Sequence, residues 1–439
     1  MSTLKVNKLR DTAGSADAIT LDPNGGAVLA GVTTVSTVKV GSGVTISSDG
    51  DVFTTGITTS STVIVGSGVT ISESGIEASG IGITVANING GQFSNRNVII
   101  NGACRVAQRS NLATSQTGYG AVDRFQVLST GDSRFTLSQN DGPGAQYGLP
   151  SALKFETTTA DSSIAATDYM YLDTRFEGQD LQRFQKGSSD AKQFTLQFWI
   201  KLAVTGTYVV QLFDADNSRH VVANYTVNSA NTWEKKIITF PADTTGSFDN
   251  DNARSLDVRW HFMGGSNYRG GTQQTTWGSI VATNMLEGMG NAVSSTGDNF
   301  ITGMQLEVGP QATSFEHRSF GDELLLCRRY YRVFQDASGG NCYMGVVSYN
   351  YDVNSVVTQV NFSPEMRATP SLDNTSGTNY YRFYRNSGYV DINAMNAING
   401  MTKYGGGFNN SDSGNGTAGQ TGGISLNNSS AKIAFDAEL

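Results

Sequence analysis

Residues able to do acid, nucleophilic or metal chemistry are few in this chain and lie scattered along it. The three histidines, His220, His261 and His317, show no metal-ligand spacing. No G-x-S-x-G, H-E-x-x-H or phosphate-binding loop occurs. Carboxylates gather at Asp249, Asp251 and Asp257. Glycoside hydrolysis needs two carboxyl groups flanking one bond. Asp249 and Asp251 read instead as solvated loop residues, with a weak calcium site as the lesser alternative. Cys104, Cys327 and Cys342 are far apart, odd in number and without C-x-x-C pairing, as expected of buried thiols in a chain folded in a reducing cytosol. The expectation is therefore no catalytic residue, no metal and no cofactor.

Stacking chemistry is better represented. A saccharide needs an aromatic face for its C–H surface, flanked by hydrogen-bonding groups that fix orientation. Trp277 sits in GGSNYRGGTQQTTWG with Asn267, Tyr268, Arg269 and Gln274, a loop suited equally to such contact or to packing against a neighbouring subunit. Trp199 shares a polar strand face with Thr195, Gln197 and Lys201; subunit packing is the preferred reading there and sugar stacking the second. Trp260, on an apolar strand face, and Trp233 read as core. Tyr380, Tyr381 and Tyr384, with the Gly/Asn/Ser run from Gly405 to Gly423, are the remaining candidates. That run reads as a loop, receptor-binding or disordered.

The elements that would position these residues are strands. The 439 residues include 51 glycines, 7 prolines and 38% hydrophobic residues, a mix expected of an all-β protein. A net charge of −8 argues against a nucleic-acid partner, and no apolar run is long enough to span a bilayer. VGSGVTIS occurs at Val40 and again at Val65, a period that marks stacked units. Such short strands bury no core alone, so residues 26–94 are expected to form an intertwined homotrimeric β-shaft behind an attachment segment, 1–25. Alternation in Phe194–Ile200 and Leu256–Phe262 predicts a jelly-roll sandwich over 95–320. Ser319 and Asp322 predict a helix start, and Leu324, Cys327 and Tyr331 an apolar side, giving a short junction helix in 321–334 covered by the same residues of two other chains. Residues 335–439 are expected to form a β tip domain.

Several segments, taken in order, resemble a module of bacteriophage tail fibres. They are NVIINGA with VAQRS from Asn97, YGAVDRF from Tyr119, FTLQFWIK from Phe194, and ITGMQLEVGPQATSFEHR followed by GDELLLCRRYY from Ile301. Ser110 and Ser314 stand where the family has Gly and Pro. The resemblance implies a carbohydrate-binding-module-like jelly roll in a trimeric virion fibre made in the host cytoplasm. Its N-terminus would attach to other virion proteins, and its distal domains would bind host glycan or an outer-membrane protein without catalysis. A capsid-attached decoration fibre or a glycan-degrading tailspike would be the alternatives. The motifs themselves read as structural and locate no glycan site.

Overall fold

A computed structural model describes residues 94–109, 117–337, 342–411 and 416–439, together with the backbone of nine short strands between Lys8 and Ala78. Residues 1–86 and 87–439 form two compact units. The parts of the expected attachment segment and shaft outside those nine strands lie outside the described residues.

In the first unit the sequence repeat is a repeat of strand pairing. Val38–Val40 pairs antiparallel with Val44–Ile46, and Thr62–Val65 pairs in the same way with Val69–Ser72, so each VGSGVTIS octamer spans the link between two strands. A third strand, Val52–Thr54 or Gly75–Ala78, completes a three-stranded sheet in each copy. Short Gly-containing links favour such local antiparallel pairing.

The second unit begins with a sandwich of two antiparallel sheets. One has seven strands in the order Gly118–Tyr119, Gln126–Ser129, Tyr169–Glu177, Arg254–Gly264, Gly206–Asp214, Arg219–Val227 and Gly278–Ser279. The other has five: Arg134–Gly144, Leu149–Thr159, Gly297–Val308, Phe194–Lys201 and Glu234–Phe240. The chain passes repeatedly from one sheet to the other, as in a jelly roll. Period-two alternation makes the core. Phe194, Leu196, Phe198 and Ile200 meet Leu256, Val258, Trp260 and Phe262, all buried. Phe198 meets Trp260 edge-on at 5.9 Å between ring centroids, a favoured aromatic geometry.

The helix is Phe320–Arg328, with Ser319 Oγ accepting from the Asp322 amide at 3.1 Å as the capping sequence predicts. Its covered side differs from expectation. Glu323 and Cys327 are the buried helix residues, and Leu324 is only half-buried. Cys327 is 0% exposed within its own chain, so no other chain is required to cover it. Glu323 Oε1 accepts from the Asn101 amide at 2.6 Å, which ties the helix to the start of the sandwich.

Beyond the helix, Lys432–Asp436 lies between Tyr331–Asp336 and Ser371–Asn374 in a three-stranded sheet. A seven-stranded sheet runs Gly388–Ile392, Tyr381–Arg385, Thr421–Leu426, Cys342–Asn350, Val356–Asn361, Gly405–Asn410, Ala397–Thr402. Strands Gly405–Asn410 and Thr421–Leu426 take up the two ends of the glycine-rich run, with Phe408 in the core and 412–415 outside the described residues. Glycine is required there for close approach: a Cβ on Gly422 would meet the Tyr384 carbonyl at 2.0 Å.

Candidate functional site

Strand alternation that sends Leu256, Val258, Trp260 and Phe262 into the core sends Asp257, Arg259 and His261 to the opposite face of the seven-stranded sheet. Tyr169 and Tyr171 reach the same face from the neighbouring strand, where Tyr171 pairs in register with His261. Their rings stack, 5.6 Å apart and inclined by 19°. Tyr268, from the 3-10 turn Ser266–Tyr268, meets Tyr169 edge-on at 5.9 Å and donates to the Thr167 carbonyl at 3.3 Å. With Arg259, Met285 and Leu286 these residues wall a pocket of about 150 Å³. That volume is below the roughly 300–1,000 Å³ of sites for drug-sized ligands, so it suits one ring rather than an extended chain.

The charges on this face are paired. Arg259 Nε and Nη2 donate to Asp257 Oδ2 at 3.0 and 2.7 Å, and Arg254 Nε donates to Asp257 Oδ1 at 2.7 Å. Arg175 pairs with Asp173 at 3.3 Å. Burial and the nearby Asp257 raise the Asp173 carboxyl to about 6, against the opposing pull of Arg175 and Arg259.

Neutral groups form a relay behind the pocket. Gln274 Nε2 donates to the carbonyls of His220 and Ser279 at 3.3 and 3.2 Å, which orients its amide so that Oε1 accepts from His220 Nε2 at 2.8 Å. His220 Nδ1 is then the acceptor for Gln211 Nε2 at 2.8 Å. Gln211 Oε1 in turn accepts from His261 Nε2 at 3.1 Å and from Arg259 Nη1 at 3.4 Å. Each step follows from the donor and acceptor inventory once the first amide is anchored on backbone carbonyls. The relay ends at His261 Nδ1, a buried nitrogen with no hydrogen-bond partner. Burial, with Arg259 and His220 adding to it, lowers the His261 pKa to about 3, so the ring is neutral at physiological pH.

The structure brings two sequence-predicted residues, Tyr268 and Gln274, to this site. Asn267 is exposed beside it, and Arg269 is half-buried. Trp277, read equally as a ligand contact or as a residue packed on a neighbouring subunit, is half-buried within its own chain. It packs on the sandwich core 5.7 Å from the Phe194 ring and donates Nε1 to the Pro241 carbonyl at 2.8 Å, because its loop folds over the open edge of the sandwich. Trp199 lies half-buried on the outside of the five-stranded sheet, 4.6 Å from Tyr147. Tyr381 is core: its side chain is 0% exposed and its hydroxyl donates to the Thr375 and Lys432 carbonyls at 2.7 and 2.8 Å. Tyr380 is half-buried against the tip core. Tyr384 stands with exposed Tyr343 and Tyr389 on the outer tip sheet, at 5.3 and 5.8 Å. Sequence reasoning missed Tyr169, Tyr171, Gln211, Arg259 and His261 as a group. The available signal was the Tyr-x-Tyr spacing and the polar positions alternating with Trp260.

The motif residues do other work. Asp123 accepts from the Gln108 amide at 3.0 Å, and Arg109 pairs with Asp436 and Glu438 at 3.0 and 3.2 Å. Arg124, 1% exposed, pairs with Glu438, donates to the Arg175 carbonyl at 2.6 Å and lies 3.4 Å from the Tyr330 ring centroid. Arg329 grips Glu177 through two 2.7 Å bonds, and Tyr330 donates to Glu177 at 2.5 Å. Together these residues form a buried ionic junction between sandwich, helix and tip, the structural role expected of them. Asp251 accepts from the Ala253 amide at 2.9 Å, and no group of three metal-type ligands occurs among the described residues.

No protein-family model matches the chain, and no curated protein sequence does. Solved structures show weak likeness. The enzymatically active domain of bacteriophage CBA120 tailspike protein 4 matches 48% of this chain at 11% identity and a TM-score of 0.29, over 21% of its own length. The family 11 carbohydrate-binding module of Clostridium thermocellum, in complex with a β-1,3-1,4-mixed-linked tetrasaccharide, matches 48% of this chain and 100% of its own at 11% identity and a TM-score of 0.24. The module TmCBM61, in complex with β-1,4-galactotriose, matches 49% and 99% at 9% identity and a TM-score of 0.26. Similarity of this degree assigns no function.

Proposed function

We propose that the chain is a non-catalytic, homotrimeric bacteriophage fibre protein that adsorbs to the host surface by binding glycan through the outer face of its seven-stranded sandwich sheet. The observation that carries the binding reading is the stacked Tyr169–Tyr171 pair, which with Tyr268, Arg259 and His261 lines a ring-sized pocket. Aromatic faces with a few placed polar groups are what a saccharide requires. The fibre reading is supported by the ordered tail-fibre motifs, whose residues build the ionic junction. The non-catalytic reading is supported by the carboxylates of this face, since Asp257 is held by Arg254 and Arg259 and Asp173 by Arg175. A carboxyl pair for glycoside hydrolysis needs room for a substrate bond between its members.

The test is adsorption. Tyr171→Ala should slow binding of purified protein to host cells about tenfold, the equivalent of ~1.4 kcal/mol, while leaving the melting temperature within a few degrees. Unchanged adsorption would remove the face from the binding reading. New reducing ends or unsaturated sugars after incubation with host envelope polysaccharide would overturn the non-catalytic one.

A further inference from the structure

We propose that Lys186 and Asp214 join covalently, the lysine nitrogen and the aspartate carboxyl condensing to an amide buried in the sandwich, with Asp243 carrying the proton. The inference concerns a second site and is independent of the glycan reading.

Three elements bring these groups together. Lys186 follows the 3-10 turn Gln182–Phe184, Asp214 ends the strand Gly206–Asp214, and Asp243 follows the strand Glu234–Phe240. Lys186 Nζ lies 2.5 Å from Asp214 Oδ2 and 3.0 Å from Asp243 Oδ2. The side chains of Lys186 and Asp214 are 0% exposed and that of Asp243 is 4% exposed. The rings of Phe248 and Trp277 each lie 5.0 Å from Nζ and close the apolar side of the site. An ammonium stripped of water here faces a carboxylate equally stripped, and moving one proton between them removes both buried charges. A desolvated amine in contact with a carboxylic acid is a nucleophile held in a near-attack position.

The two carboxyls differ as an acid and a base must. Burial raises the Asp214 carboxyl against the bonds from Lys186 and Asn217. Despite burial, the bonds from Arg219 and Lys186 lower the Asp243 carboxyl. Environments that push two carboxyls apart divide their roles.

The condensation then balances. A proton passes from Nζ to Asp214 Oδ2, leaving an amine and a carboxylic acid. The Gly246 carbonyl, 2.6 Å from Nζ, and Asp243 accept the two hydrogens the amine keeps, which leaves its lone pair for Asp214 Cγ. The Nζ–Cγ bond forms and negative charge moves to Oδ1. There the Asn217 backbone amide donates at 3.0 Å and Asn217 Nδ2 at 3.2 Å, as in an oxyanion hole. Asp243 takes a proton from the nitrogen and passes it to Oδ2. The Cγ–Oδ2 bond breaks, one water leaves, and Asp243 is again a carboxylate. The amide ties the segment that enters Phe194–Lys201 of the five-stranded sheet to the end of Gly206–Asp214 in the seven-stranded sheet.

Mass spectrometry of the denatured full-length protein tests this. The expected mass is about 18 Da, one water, below that of the sequence. Trypsin should fail to cut after Lys186 and should release a branched peptide that contains both Lys186 and Asp214. Lys186→Met and Asp243→Asn should show no deficit. Asp214→Asn should form the same amide by losing ammonia, about 17 Da, which an ordinary ion pair would not do. The full sequence mass in the unmodified protein overturns the proposal, whether or not the variants fold. A lost water with Lys186 still cleaved also overturns it, since the loss then lies elsewhere. A cross-link that persists in folded Asp243→Asn overturns the role of Asp243.

Discussion

Glu438→Gln tests the junction that joins sandwich to tip. In the native chain the Glu438 carboxylate is buried and paired with both Arg124 and Arg109. Arg124 is itself 1% exposed, and its other neighbours are a backbone carbonyl, Asp123, Tyr119, Cys327 and the face of Tyr330. The isosteric amide keeps the shape but strands a buried guanidinium without its counter-charge. Removing one partner of a buried pair costs about 3–5 kcal/mol. The lower end applies, because burial already penalises the Glu438 carboxylate and raises its pKa against the pull of Arg124 and Arg109, Gln Oε1 still accepts one bond, and Asp436 remains on Arg109 at 3.0 Å. For a domain of the sandwich's size 1 kcal/mol moves the midpoint by about 2–4 °C, so a loss of about 3 kcal/mol lowers it by roughly 6–12 °C. Scanning calorimetry of the full chain should also show the sandwich and tip transitions separating, since Glu438 lies on the stretch that returns from the tip strand Lys432–Asp436 to the sandwich. A single transition within 1 °C of the unmodified protein would refute the reasoning and demote the junction to a geometric coincidence. Asp391→Asn, which breaks a solvent-screened pair with Arg382, is the control and should leave the melting midpoint unchanged.

Asp173→Asn, unlike Glu438→Gln, should stabilise the protein at pH 7, because Asp257 repels the Asp173 charge and the partner Arg175 is partly exposed where Arg124 is not. A carboxyl raised from 3.8 to about 6 keeps in the folded state a proton that the unfolded chain has released. Stability from this group is therefore present below pH 4 and lost as pH rises to 6, by about 3 kcal/mol. Denaturant melts from pH 4 to 8 should show that slope flattened in the variant, and an equally steep slope would count against it. Trp277→Ala should lower stability by about 3 kcal/mol, the low end for a buried tryptophan because the ring is only half-buried; weaker adsorption with unchanged melting would restore it as a contact residue. The mass in solution should be three times 46.7 kDa, and a stable monomer would remove the trimer from the proposal.

The strands of the sandwich were legible because each carries its own instruction. Phe194-x-Leu196-x-Phe198-x-Ile200 alternates with period two, and no partner is needed to see which side is apolar. The helix start was legible for the same reason, since Ser319 and Asp322 interact three residues apart. Its buried side was not, because the covering groups, Asn101, Arg124 and Glu438, come from more than 100 residues away on either side. The tyrosines of the tip could not be ranked from sequence. Tyr381 and Tyr384 share one β-prone segment, and only the register of Thr421–Leu426 and Gly388–Ile392 against it decides that the first is core and the second faces outward.

By itself the sequence determined what depends on neighbours along the chain: all-β character, the repeat of short strands, the helix cap, the polar face of Asp257, Arg259 and His261. Tertiary structure alone decided which polar residues share that face and in what protonation state. Gln274, His220, Gln211 and His261 span more than 60 positions and three strands, and the bare nitrogen at the end of their relay exists only because two backbone carbonyls orient the first amide. Hydrogen-bond direction passes through space, and no spacing in the sequence records it.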